Sequence, residues 1–89
     1  MIFYITCEQN AKEITERLQK KDMANLYVHP LIFLSHLNFD EFSEDDLAEL
    51  RLDILQNCDK LIVSGEISNI IQTEMDFAKL VGMEIQCLD

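Results

Sequence analysis

Apolar residues in this chain recur with two different periods. Four short runs are rich in apolar side chains, the first of them in β-branched and aromatic ones: Met1 to Thr6, Asn25 to Val28, Lys60 to Ser64, and Met83 to Leu88. All four are read as strands, and the near-continuous first run, Met1 to Thr6, as a strand buried on both faces of the sheet. Between them the apolar positions return at helical spacing. Ala11, Ile14 and Leu18 mark a first helix over 10–21, and Leu47, Leu50, Ile54, Leu55 and Cys58 mark a second ending near Asn57. A third over 68–81 carries Ile70, Ile71, Met75, Phe77, Ala78 and Val81 on one arc, extended by Ile67, with Asn69, Gln72, Thr73, Asp76 and Lys79 opposite. Helix ends are signalled by Asn10 with Glu13, by Ser43 with Asp46, by Lys20 and Lys21, and by Gly82. Ser68 is read as the N-cap of the third helix.

The order β-α-β-α-β-α-β predicts an α/β fold with a four-stranded parallel sheet and right-handed crossovers. The expected strand order is 2-1-3-4, a small flavodoxin-like three-layer sandwich forming one domain over 1–89. Ligands of such sheets sit beyond the carboxyl ends of the strands, where the strand order reverses. Here the lips of that crevice would be Thr6, Cys7 and Glu8 on one side and Ser64, Gly65 and Glu66 on the other. The segment 31–44, with Leu31, Ile32, Phe33, Leu34, Leu37, Phe39 and Phe42, is too apolar for a free linker. It is expected to pack down as a lid or partner surface.

Two charges break the pattern. Glu74 falls within the apolar arc of the third helix and Arg51 within that of the second. A carboxylate aimed at a core costs several kcal/mol unless it is paired, protonated or facing a pocket. In the expected topology the two helices lie side by side. Glu74 is therefore either a nucleophile at the crevice or the partner of Arg51 in an otherwise apolar seam, and the pattern favours the ion pair.

Composition narrows the range of functions. Seventeen Asp and Glu against seven Lys and Arg give a net charge of -10 in 89 residues, a field that repels phosphate backbones and argues against direct nucleic-acid binding. An acidic surface could instead meet a basic protein. Cys7, Cys58 and Cys87 lack CxxC spacing, which argues against a disulfide framework or a zinc site. His29 and His36 find no third metal ligand at suitable spacing, and no phosphate-binding glycine motif or Ser-His-Asp arrangement is visible. No cofactor is expected. No apolar run reaches signal-peptide or membrane-span length, so the chain is expected to be cytoplasmic. Sheet edges and the apolar loop make a homodimer a reasonable expectation.

Four features carry a resemblance to a known family: the N-terminal strand Ile2-Phe3-Tyr4-Ile5; Cys58-Asp59 followed by Lys60-Leu61-Ile62-Val63; Ile67-Ser68 opening a helix with Glu74 six residues after the Ser; and Ala78 with Gly82 before the last strand. The chain resembles small nucleoside 2-deoxyribosyltransferase-like domains, including short phage and bacterial domains of unknown function. The resemblance implies that Glu74 stands where the family's enzymes carry the carboxylate that attacks the anomeric carbon of the sugar, chemistry a carboxylate nucleophile supports. Tyr4, Cys7, Ser64, Gly65, Ser68 and Arg51 become candidate ligand contacts.

The chain also departs from that family. Its first loop, Cys7-Glu8-Gln9-Asn10, has no Gly; Ser68-Asn69-Ile70 replaces Ser-x-Gly; and Arg51 stands where the enzymes carry an acid, with Asp53 expected to face away. Three readings remain open: a domain that has lost catalysis and binds a nucleoside-like or sugar-like molecule, which is favoured; an active deoxyribosyltransferase or N-glycosidase; and a small acidic, phage-encoded interaction protein or inhibitor of a basic partner.

Overall fold

The computed structural model describes residues 1–88, apart from the side chain of Phe39, so the expected contribution of Phe39 to the apolar loop lies outside the described residues. Four parallel strands form one sheet in the order β2-β1-β3-β4. They are β1 (Ile2–Cys7), β2 (Leu26–Val28), β3 (Lys60–Ser64) and β4 (Glu84–Cys87). The helices are α1 (Ala11–Lys21), α2 (Pro30–Phe33), α3 (Glu44–Leu55) and α4 (Asn69–Leu80), with a 3-10 turn at Phe39–Glu41. The fold is flavodoxin-like, as the order of sequence elements requires.

Register explains how one strand serves two cores. Tyr4 lies beside Leu61 and Thr6 beside Val63, while Ile5 lies beside Ile62 and Cys7 beside Ser64. Successive side chains of a strand point to opposite faces. Tyr4, Leu61 and Val63 therefore pack with Leu55 of α3 and with Ile71 and Ala78 of α4. Ile5, Cys7 and Ile62 pack with Ile14 of α1 on the other face. Phe3 and Tyr27 meet edge to face at 5.3 Å there.

Local chemistry sets the helix ends. Ser43 and Asp46 form a full capping box, the Ser43 hydroxyl accepting from the Asp46 N–H and the Asp46 carboxylate from the Ser43 N–H. Ser68 caps α4 by accepting from the Ile71 N–H. Gly82, at φ +75°, closes α4, with its N–H on the Lys79 carbonyl and the Met83 N–H on that of Ala78. Asn10 occupies the N-cap position of α1, but in the left-handed region and without a side-chain cap bond, so its expected capping role is not fulfilled.

The structure adds α2, which the sequence pattern did not separate from the apolar loop. Pro30 at its start is preorganised for a helix, and the His29 side chain caps it through the Leu31 N–H at 3.1 Å. The 31–44 segment packs down only in part: Leu34 is buried, whereas Leu31, Ile32 and Phe33 are exposed. Two outer positions of the predicted α4 arc are likewise corrected. Ile67 precedes the helix, Val81 follows it, and both are about half exposed, because neither position belongs to the helical turns whose arc faces the core.

Removing the Ser43 hydroxyl tests the cap directly. Ser43→Ala is expected to cost about 1 kcal/mol of stability in urea denaturation, while Ser35→Ala, at an exposed position, leaves the midpoint unchanged.

Candidate functional site

Beneath the carboxyl edge of the sheet, Glu74 is 1% exposed. Its position follows from the α4 arc, which turns this residue toward Tyr4 and Thr6 on β1. Arg51 reaches the same point from α3. The guanidinium binds the carboxylate with two prongs, Nη2 to Oε1 at 2.9 Å and Nε to Oε2 at 3.1 Å. Thr6 Oγ1 donates to Oε1 at 2.7 Å, and the Tyr4 hydroxyl donates to Oε2. Arg51 Nη2 also donates to Thr6 Oγ1 at 3.0 Å. Each carboxylate oxygen thus has two donors, which fills the roughly four acceptor positions a carboxylate offers.

The electrostatics agree with a closed network. Burial, the largest single influence, lowers the affinity of Arg51 for its proton, but the hydrogen bonds and charge of Glu74 together with the contribution of Tyr4 outweigh it, and the Arg51 pKa lies above its ordinary value. Burial, then the charge of Glu74, pushes the Tyr4 hydroxyl far above the ordinary phenol range. Tyr4 therefore stays protonated and acts as a donor.

The remaining predicted positions separate into two groups. Ser64 and Gly65 line an open hollow of about 320 Å³ together with Glu8, Gln9, Asn10, Ile14 and Glu66. Gly65 has φ +80°, and a Cβ there would meet no atom within 4 Å, so glycine is needed for the turn rather than for space. Ser68 lines a second, wider depression with Glu8, Glu44, Asp45 and Thr73. Tyr4, Thr6, Arg51 and Glu74 line neither hollow. Cys7 and Thr6 are not lips of the crevice. Cys7 packs against Ile5 and Ile14 in the α1-side core, and burial raises its thiol pKa. Among the described residues no group of three His, Cys, Asp or Glu could hold a metal ion, and no helix is long and apolar enough to cross a membrane.

Two participants were not singled out as network members from sequence. Thr6 was placed on the lip and Tyr4 among ligand contacts, because a strand buried on both faces has no alternation to reveal which way a side chain points. In the sequence His29 stood out only as a histidine without a third metal ligand at suitable spacing. It is 1% exposed at the end of β2, and its Nδ1 accepts from Leu31. Among the described residues its Nε2 has no hydrogen bond of good geometry. Burial, followed by the charge of Arg51, lowers its pKa below the usual 6.5, opposed by the backbone of Cys7 and the charge of Glu74.

No family model, curated protein or solved structure matches the chain.

Breaking one side of a buried ion pair costs about 3–5 kcal/mol, largely because the other charge is left uncompensated. Arg51→Met is expected to lose stability on that scale in urea denaturation. Arg51→Met/Glu74→Gln should recover part of the loss, with a coupling above about 1 kcal/mol; additive effects would show that the two groups act independently.

A folded His29 that binds its proton less readily than the unfolded one leaves the unfolded chain with more bound protons at low pH. Its contribution to stability is therefore full above pH 6.5 and declines as pH falls through and below that value. His29→Asn, which keeps a capping oxygen, should flatten the fall in stability between about pH 7 and 5. A slope unchanged in the variant would remove His29 as its source.

Proposed function

We propose that the chain is a nucleoside 2-deoxyribosyltransferase-like domain that has lost sugar transfer and binds a neutral, hydroxyl-rich molecule of nucleoside size at the carboxyl edge of its sheet. The observation that carries the loss of catalysis is the state of Glu74. A nucleophilic carboxylate needs a lone pair directed at the reacting carbon, and here every such position is met by Arg51, Thr6 or Tyr4. Attack on a sugar would require breaking the bidentate ion pair inside the protein.

Support for binding comes from the hollow between the ends of β1 and β3. Its volume of about 320 Å³ lies at the lower end of the small-molecule range, about 300–1,000 Å³. Glu8 and Glu66 offer acceptors, Gln9 and Asn10 offer amides, and its lining includes no Lys or Arg. Sugar hydroxyls and exocyclic amines suit that set, whereas a phosphate would meet two carboxylates with no countercharge.

Calorimetric titration is expected to show saturable binding of nucleosides and no tighter binding of the corresponding monophosphates. Glu8→Lys should shift that preference toward the monophosphate. Absence of any nucleoside binding rejects the ligand assignment. Incubation with 2′-deoxynucleosides, with and without an acceptor base, is expected to release no base. Base release by the native chain that disappears in Glu74→Ala would restore the catalytic reading.

A further inference from the structure

On the opposite side of the molecule from α1, the sheet is incompletely covered. β2 turns Leu26 and Val28 toward the α3 side, yet α2, with four residues, is too short to roof them. The result is a groove of about 300 Å³ walled by Leu26, Val28, Phe33, Leu50 and Ile54, with Asp53 at its margin. Leu26 is 52% and Phe33 57% exposed. Leu50 and Asp53 continue into an adjoining hollow carrying Phe42, Asp46 and Glu49. The apolar floor therefore has an acidic border along α3, which brings Glu44, Asp45 and Asp46 in its first turn and no basic residue in its last.

The backbone beside the groove limits what can enter. β2 is an edge strand, and an open edge invites a further strand from a partner. Gln19 of α1 occupies this edge instead: its Oε1 accepts from the Tyr27 N–H at 2.9 Å, and its Nε2 donates to the Asn25 carbonyl at 2.7 Å. The amide thus takes the place of a neighbouring strand. A partner enters by side chains alone, as a helix laid with its apolar stripe in the groove. A second copy of this chain is a poor occupant, because a symmetric contact would set acidic border against acidic border, each chain carrying a net charge of -10.

We infer that the groove between β2, α2 and α3 docks a basic amphipathic helix of another protein, its apolar stripe seated on Leu26, Phe33, Leu50 and Ile54 and its Lys or Arg residues facing Asp46, Glu49 and Asp53. This surface is separate from the hollow at the ends of β1 and β3, so the inference does not rest on the ligand reading above.

The test uses the full chain and three synthetic helical peptides of about 18 residues, a span near 27 Å. One carries a Leu stripe flanked by Lys; one keeps the stripe with Glu in place of Lys; one keeps the Lys with Ser in place of Leu. Fluorescence anisotropy is expected to show saturable binding of the first and at least tenfold weaker binding of the other two. Phe33→Ser and Leu26→Thr, both at exposed positions, should each weaken the first peptide several-fold, with an unchanged circular dichroism spectrum confirming the fold. Glu49→Lys/Asp53→Lys should weaken it further and reduce its salt dependence. Equal binding of the Leu-Lys and Ser-Lys peptides would reduce the effect to general charge attraction and overturn the proposal, as would insensitivity to the groove substitutions. Light scattering that gives a dimer dispersed by Phe33→Ser would also overturn it, by assigning the groove to a second copy.

Discussion

A carboxylate that has given up its water must find every hydrogen bond within the protein, and the arrangement around Glu74 follows from that requirement. Desolvating an ion costs several kcal/mol even after relaxation, and no single contact returns that much. The cost is offset by a cationic fork from α3 and two hydroxyls from β1 acting together. Because its donors come from α3 and β1 and its acceptor from α4, the network also fixes how α3 and α4 sit against the central strand. Apolar packing of Leu55, Ile71 and Ala78 on Leu61 and Val63 surrounds it, and the low polarity of those neighbours strengthens each polar contact it encloses.

The same geometry separates what the fold could do from what these residues do. Flavodoxin-like sheets place ligands where strand order reverses, and a hollow lies there between Glu8 and Glu66. The charged network lies deeper, on the α3–α4 side of β1, and does not line it. The proposed binding at the rim and the stability beneath it thus fall to different side chains. Substitution of the loop residues can alter one while leaving the other intact.

How much of this was legible in sequence depends on what each residue's neighbours reveal. The sheet order followed from the alternation of strands and helices. The ion pair was also readable, because Glu74 and Arg51 each interrupt an otherwise apolar helical arc and the topology places those helices side by side. Tyr4 and Thr6 could not be oriented, since a doubly buried strand shows no alternation of apolar and polar positions. Cys7 was misplaced for the same reason: its position at a strand end suggested a lip, whereas the pleat turns it toward Ile14. The helix α2 spans only about one turn, too short for a 3.6-residue period to register, and its remaining signals were Pro30 and the capping His29. Asn10 had the right residue type for a cap, but a left-handed backbone there is a property of the loop.

The bidentate contact between Arg51 and Glu74 also restricts how the chain can change over time. Losing either residue alone strands a buried charge or leaves its partners unmatched, so each single step leads downhill in stability before any new property appears. The two positions are therefore expected to vary together, and Tyr4 and Thr6 limit the replacements they accept. A lineage that acquired the pair would be slow to abandon it, whatever selection acts on the surface.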